Sequence, residues 1–351
     1  MKKNLKSLTK SILVLILAAI LFTACGKKEK PGETAKPGSE KSYVLATASP
    51  GGTYYPVGVA IATLATDKLS EKSHIKMNAI TSAGSGENVQ LLKTHEADFA
   101  ILQGLFGSMA WQGKGKYEGK PEKQMRAVTM LWENVEHFVT YKEYAKTGNI
   151  MDLKNMRGKR FSIGKRGSGT ETSGKTILTA LGFDPENDFN LEHMGYSASA
   201  KAMQDKRVVG MNIPAGPPVA AITQAFATIG SDNIAVLNFT DDQVKKIDSN
   251  FPVWSRFVIK AGTYPGQKAD INTIAQPNFL AVRPDIDEET VYELVKTIYE
   301  NLPYLHKMHK ATMAIKLERG VQGLPVPLHP GAARFFKEKG IAIPASIMPT
   351  K

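Results

Sequence analysis

The sequence predicts an α/β protein of two lobes. Three observations carry that expectation: strands and helices alternate regularly from residue 43 onward, the alternation restarts after a Gly-containing link near residue 158, and the last third returns to long helices. At 351 residues with 42% hydrophobic content, the chain has enough apolar material for two packed cores.

The N-terminus stands apart from that pattern. Lys2, Lys3, Lys6 and Lys10 precede an apolar run, Ile12 to Phe22, that ends at small residues before Cys25. This is the layout of a secretory signal peptide over residues 1–24, and the run is short for a membrane span. Cys25 is the only cysteine, which excludes a disulfide within one chain and a multi-cysteine metal site. FTAC, Phe22 to Cys25, resembles a bacterial lipobox, so Cys25 is the expected lipidated terminus of the mature chain, a membrane anchor followed by a Lys/Glu/Gly/Pro-rich tether over residues 25–42. Removing the four lysines of the signal peptide from the +12 net charge leaves +8. That balance suits an anionic ligand or lipid surface. The basic residues are scattered and not interleaved with stacking aromatics, so nucleic acid is not an expected partner.

Tyr43 to Ala48 reads as a buried strand, and SPGGTYYPVG leads into a helix with Val57, Ile61, Leu64, Ala65 and Leu69 at helical spacing. His74 to Ile80 is the next strand, SAGSGEN opens a helix carrying Val89 and Leu92, and Asp98 to Leu102 is a third strand. A βαβαβ unit of this kind implies parallel strands with right-handed crossovers and ligands gathered at their carboxyl ends. Arg126 to Trp132 and His137 to Lys142 follow as strands. The second series then runs through a strand at RFSIG, a helix from Thr172 to Leu181, a strand near Leu191 to Met194, a helix from Ser197 to Asp205 and a strand from Val208 to Ile213. Pro217 and Pro218 suit the first turn of a helix carrying Val219, Ile222, Phe226 and Ile229. Thr240 to Gln243 has capping-box spacing, Asp287 caps a helix that Pro303 bends or ends, and a final helix begins near Gly331.

Three glycine-rich turns share one position, after a strand and before a helix: Pro50 to Tyr55, Ser82 to Asn88 and Gly167 to Glu171; Pro214 to Pro218 is a fourth. Each leaves backbone N–H groups at the positive end of a helix, and Thr53, Ser82, Ser85, Ser168 and Thr170 add hydroxyl donors. Two turns in each lobe make opposing halves of an anion seat, with Tyr54 and Tyr55 able to wall its apolar part. The plain alternative is that these residues only cap helices; Ser168 with Glu171 has capping-box spacing.

GTETSGKT, Gly169 to Thr176, matches the nucleotide-binding pattern GxxxxGK[ST], but residues 165–168 separate it from the strand, and no clear apolar strand ending in a magnesium-binding Asp follows. Lys175 reads as a solvent-facing helix residue. Histidines are dispersed, with only His306 and His309 at (i, i+3) spacing, and neither GxSxG nor HExxH occurs. His329 reads as a packing or capping residue. No catalytic residue, metal or cofactor is expected.

Seven blocks in order, ATASPGGTYYPVG, SAGSGENVQLL, ADFAILQ, DLKNMRGKRFSIGKRGSGTE, AGPPVAAI, GTYPGQ and VPLHPGAARFFKEKG, resemble the TAXI solute-binding proteins (TRAP-associated extracytoplasmic immunogenic) over essentially the whole mature chain. The resemblance implies a two-lobed periplasmic-binding-protein fold (type II-like) with its ligand cleft between the lobes, residues 43–139 with 272–351 forming one and 140–271 the other. It implies a receptor that is not an enzyme, delivers a small carboxylate such as glutamate, glutamine or 2-oxoglutarate to a membrane TRAP permease, and works outside the cytoplasmic membrane. The implied ligand-facing residues are Gly52, Thr53 and Tyr54; Ser82, Gly84, Ser85 and Asn88; Gln103; Gly167, Ser168, Gly169, Thr170 and Glu171; and Gly216 and Pro217 near the rim. Lys165, Arg166 and Arg256 are the candidate supplementary cations. The rival readings are a receptor for an ATP-driven importer or a sensor, and a P-loop enzyme.

Overall fold

The computed structural model describes residues 40–350; the signal peptide, Cys25 and nearly all of the tether lie outside them. In chain order the elements are β1 (Lys41–Ala46), α1 (Tyr54–Ser73), β2 (Ile75–Ile80), α2 (Ser85–Lys93), β3 (Phe99–Gln103), α3 (Gly104–Gln112), β4 (Arg126–Val135), β5 (Phe138–Tyr141), β6 (Arg160–Ser162), α4 (Gly169–Ala180), α5 (Pro185–Asp188), β7 (Asn190–Glu192), α6 (Tyr196–Gln204), β8 (Gly210–Asn212), α7 (Ala220–Ile229), β9 (Ile234–Val236), α8 (Asp241–Asp248), β10 (Ser255–Ile259), β11 (Ile271–Val282), α9 (Glu288–Glu300), α10 (Leu302–Met308) and α11 (Pro330–Glu338). Short 3-10 turns fill several links.

These strands form two sheets. The first has six strands in the order β10-β11-β3-β1-β2, with β4 on the other edge of β11; the second has five, β7-β6-β8-β5-β9. The expected parallel core is present where β1 pairs with β2 and β3, and where β6 pairs with β7 and β8. Both sheets are nonetheless mixed. β11 runs antiparallel to β3, β4 and β10, and β5 runs antiparallel to β8 and β9. For β10 and β11 the physical reason is the connection: the link over residues 260–270 contains no helix and cannot make the crossover a parallel pair needs.

Burial follows the periodicity. Val57, Ile61, Leu64, Ala65 and Leu69 of α1 are all buried against the first sheet's core. A second cluster gathers Val139, Met211, Ile213, Ile222 and Phe226 of the second sheet and its helix α7. Ile259, Ile271 and Ala275 also pack in this second cluster, although β10 and β11 hydrogen-bond within the first sheet. The long strand β11 thus serves both cores.

Helix ends behave as their residues dictate. Thr240 and Gln243 form the full reciprocal capping box, Asp287 accepts from the Thr290 N–H at 2.9 Å, and α9 stops at Glu300 so that Pro303 falls in the first turn of α10. His329 caps α11, its Nδ1 accepting from the Gly331 N–H at 3.2 Å, and is buried at 2% exposure. Pro217 and Pro218 do not enter α7. Their shared peptide bond is cis and the helix begins at Ala220, so the pair belongs to the preceding turn.

Candidate ligand site

Among the described residues, a small cavity of about 30 Å³ lies where the glycine-rich turns of the two sheets meet. Contact there is close. A Cβ on Gly86 would stand 1.8 Å from the Gly167 carbonyl oxygen, and one on Gly169 would stand 2.5 Å from Gln103 Oε1 and 2.9 Å from Ser85 Oγ. Only glycine lets the second and third turns approach this way.

From the first turn, Gly52, Thr53 and Tyr54 line the cavity. Thr53 makes no side-chain cap of α1; its hydroxyl instead donates to the Gly216 carbonyl at 2.9 Å. The Tyr54 hydroxyl donates to Asn278 Oδ1 at 2.5 Å, and its ring stands edge-on to Trp132 with centroids 6.0 Å apart. From the second turn, Gly84 and Ser85 line the cavity, while Ser82 and Asn88 face inward. Ser82 Oγ bonds with Asn88 Oδ1 at 2.6 Å and accepts from the Gly84 N–H, and Asn88 Nδ2 donates to the carbonyls of Thr47 and Ile101. These two residues brace the turn against β1 and β3. Gln103, the N-cap of α3, lines the cavity at 3% exposure with its Oε1 unpartnered.

In the third turn Ser168, Gly169 and Thr170 line the cavity and Gly167 and Glu171 do not. Ser168 caps α4, accepting from the Glu171 N–H at 3.1 Å. The reciprocal half of the expected capping box is displaced by one residue, because the Glu171 carboxylate accepts from the Gly167 N–H at 2.7 Å. Burial pushes the Glu171 carboxyl up, but Lys175, the Gly167 N–H and His193 together hold it below its ordinary value. Its charge is spent on its own helix. Lys175 reaches Glu171 at 2.7 Å and Glu186 at 2.8 Å, and Gly169 to Thr176 is helix throughout. A phosphate-binding loop of the GxxxxGK[ST] kind needs loop backbone over this stretch and a lysine free to reach the phosphate, and here the stretch is helical and Lys175 is paired.

In the fourth turn Pro214 and Ala215 line the cavity; Gly216 and Pro217 do not. The lining also includes a fifth strand-to-helix turn that the sequence reading passed over, Met194, Gly195 and Tyr196. Its signal was legible, a Gly-Tyr-Ser step after the strand ending at Glu192, yet it lacks the repeated glycines of the others. Tyr196 holds the site together: its hydroxyl donates to the Pro214 carbonyl at 2.7 Å and bonds with Thr170 Oγ1 at 2.8 Å, and a Cβ on Gly52 would meet its ring at 2.8 Å. Burial raises the pKa of both Tyr54 and Tyr196, so both phenols are neutral hydrogen-bonding groups.

The N-termini of α1, α2, α3, α4 and α6 all reach the lining, through Thr53, Gly84, Gln103, Ser168 and Gly195 as their N-caps. Lys165 is the one charged side chain in the lining, is exposed, and has no ion-pair partner among the described residues. Arg166 is not in the lining. Arg256 is committed elsewhere, to Asp241 and to the carbonyls of Phe239 and Thr273. Five positive helix ends and an ammonium with no facing carboxylate make a seat for negative charge.

Behind the cavity, Glu136 is fully buried on the link between the sheets and neither carboxyl oxygen makes a hydrogen bond. Burial pushes its carboxyl up to about 8, against the lowering pull of Ser173 and Asn212 nearby. Its neighbour His137 is pushed down to about 4 by burial and shares a 2.7 Å hydrogen bond between Nε2 and the Tyr264 hydroxyl. Among the described residues no group of three His, Cys, Asp or Glu could hold a metal ion, and no helix is long and apolar enough to cross a membrane.

Solved structures share this architecture. MatC (Rpa3494) from Rhodopseudomonas palustris, determined with bound malate, is 14% identical, with 85% of this chain and 96% of that chain covered and a TM-score of 0.54. CAE31940 from Bordetella bronchiseptica is 12% identical over 88% and 85% of the two chains (TM-score 0.49), and the periplasmic aliphatic sulphonate binding protein SsuA from Escherichia coli is 12% identical over 77% and 79% (TM-score 0.42). At 14% identity the likeness to MatC shows a shared fold alone. The family assignment rests on the sequence itself: a family model matches residues 45–340, nearly all of the described structure, and the chain belongs to the NMT1-like family.

Proposed function

We propose that this protein is an extracytoplasmic solute receptor of the TAXI type, which captures a small carboxylate such as glutamate, glutamine or 2-oxoglutarate and delivers it to the membrane permease of a TRAP transporter. The observation that carries the reading is the convergence of five helix N-termini and the unpaired Lys165 on one cavity. An anion there meets backbone N–H groups, hydroxyls and one ammonium, and no carboxylate opposes it. The order of sequence blocks supports the TAXI assignment, and FTAC supports lipidation at Cys25. The proposed lobes, 43–139 with 272–351 and 140–271, would close on the solute from opposite sides. Solute would shift the balance toward the closed form, which the permease recognises.

A thermal-shift screen of the protein against amino acids, dicarboxylates and nucleotides tests this. A solute at 100 times its dissociation constant adds about 2.7 kcal/mol of stability. A shift with a carboxylate is the expected result. A shift with ATP and with no carboxylate would sink the reading.

A further inference from the structure

The two most exposed large apolar side chains of the described residues are neighbours. Met308 ends α10 and is 50% exposed; Met313, in the 3-10 turn Lys310–Ala314 that packs against that helix, is 56% exposed. The turn itself is firmly seated. Ala311, Thr312 and Ile315 are buried, His309 Nδ1 accepts from the Ala311 N–H at 3.1 Å, and a Cβ on Gly216 would stand 2.5 Å from the Ala311 Cβ. The methionines are therefore held out by a packed base. Lys307, Lys310 and Lys316 are exposed in the same stretch, none with an ion-pair partner among the described residues, and no Asp or Glu occurs between Glu300 and Glu318.

Two flexible apolar tips ringed by ammoniums, with no carboxylate among them, fit a surface that is apolar inside and negative at its boundary. An anionic bilayer has that profile, and lysine stems can lie along its apolar part while their charges reach the phosphates. A protein partner fits less well, since protein interfaces are depleted in lysine and favour arginine and aromatic rings. Here Arg319, the next arginine along the chain, is paired with Glu133, and Tyr304 is half-buried. Geometry allows the contact. Lys41, at the start of β1, reaches Asp287 at the start of α9 at 3.1 Å, and α9 and α10 together run about 30 Å from there to Met308. The residues between Cys25 and Glu40 can span up to about 50 Å, so anchor and patch can meet one membrane at once.

We propose that Met308, Met313 and the three lysines around them are a docking surface for an anionic lipid bilayer, the methionines entering the headgroup boundary and the ammoniums meeting lipid phosphates. This rests on the reading of the protein as an extracytoplasmic receptor tethered to a membrane, and not on the identity of its solute. Ala311, between the two methionines, stands against Gly216, whose carbonyl accepts from Thr53. A docked receptor thus holds the meeting line of its two sheets close to the bilayer, where a permease lies. The tether supplies a high local concentration, so a weak contact is enough to orient the molecule.

Glu40–Lys351 packs as a unit of its own, so the chain from residue 26, which lacks signal peptide and anchor, is the material for the test. Its partitioning onto phosphatidylcholine vesicles is compared with that onto vesicles containing about 30% phosphatidylglycerol, at low ionic strength. Binding to the anionic vesicles alone is expected. Replacing Lys307, Lys310 and Lys316 together by Gln should lower it at least about tenfold, and Met308→Ser with Met313→Ser about fivefold. Replacing Lys114, Lys120 and Lys268 by Gln removes the same charge elsewhere and should change it less than about twofold. This chain has no cysteine, so Met313→Cys carries a single environment-sensitive fluorophore, whose emission should shift to the blue on anionic vesicles, whereas one on Ala269→Cys should not shift. No binding to anionic vesicles, equal loss in both lysine triples, or no shift at residue 313 would overturn the proposal. So would a shift seen only with membranes that contain a permease, which would assign the patch to a protein partner. The assay uses no solute, so its failure leaves the carboxylate reading of the cavity standing, and failure of the solute screen leaves the docking surface standing.

Discussion

The hydroxyl of Thr53 donates to the carbonyl oxygen of Gly216 at 2.9 Å, joining the first glycine-rich turn of one sheet to the strand-to-helix turn of the other. The Ala221 N–H donates to the Gly51 carbonyl at 3.1 Å beside it. Both bonds span the two sheets and would be lost if the sheets separated. Thr53→Val keeps the side-chain shape and removes the donor, leaving a carbonyl unmet at a cost of about 1 kcal/mol. Solute affinity is therefore expected to fall roughly three- to tenfold, measured by calorimetry, with little change in the melting of the ligand-free protein. Unchanged affinity would mean that this bond does not distinguish the open from the closed arrangement.

Thr170 and Tyr196 make the corresponding pair within the second sheet's jaw, their hydroxyls 2.8 Å apart. Thr170→Ala removes one cavity hydroxyl and leaves Tyr196 its bond to the Pro214 carbonyl. The expected outcome is weaker solute binding with a folded protein by circular dichroism. Tyr196→Phe removes the bonds to both Thr170 and Pro214 and should cost about 1–3 kcal/mol of stability as well as affinity. If Thr170→Ala binds solute as tightly as the wild type, that hydroxyl serves only to position Tyr196.

The turns were legible in the sequence because glycine next to a strand end and a helix start has few other uses. The roles of individual residues within each turn were not. Ser82 and Asn88 have the same chemistry as Ser85, but they bond to each other and to the strand ends, whereas Ser85 lies in the cavity lining. Spacing does not separate these cases, since the direction of a side chain in an irregular turn depends on backbone angles such as the φ of 110° at Gly84. Glu171 was ambiguous for another reason: its partners Lys175 and Gly167 are local, but His193 arrives from a distant strand end. The antiparallel return of β11 was hidden because pairing across some 150 residues leaves no local pattern. The burial of Asn134, Gln276 and Asn278 was hidden too, since polar residues on a strand ordinarily mark a solvated face.

Glu136 and His137 give the protein a distinctive pH response. The folded carboxyl is raised from 4.5 to about 8, so its contribution is fully present below pH 4.5 and is lost as pH rises toward 8. The folded imidazole is lowered from 6.5 to about 4, so its contribution is present above pH 6.5 and is lost as pH falls toward 4. Between pH 4.5 and 6.5 the two slopes oppose each other and cancel; between 6.5 and 8 only that of Glu136 remains. Glu136→Gln mimics the neutral acid. The stability of this variant relative to wild type is expected to rise by on the order of 1 kcal/mol per pH unit from pH 4.5 to 8, read from urea unfolding at several pH values. Parallel curves for the two proteins would show that Glu136 is solvated in the native state.

Lys165 is the remaining determinant, the one charge in a lining otherwise made of dipoles. Because it is exposed, its attraction for a bound anion is screened, and salt becomes the diagnostic. Lys165→Met preserves the length of the stem and removes the ammonium. Affinity for an anionic solute at low ionic strength is expected to fall by about 1–2 kcal/mol, or roughly five- to thirtyfold. The difference between variant and wild type should shrink as sodium chloride is raised from 20 mM to 500 mM, on the order of the change in Debye length from above 20 Å to below 5 Å. Lys165→Arg, which keeps the charge, should follow the wild-type salt dependence. A loss in Lys165→Met that is the same at every salt concentration would assign the lysine a packing role through its stem, and the five helix ends would then hold the anion without it.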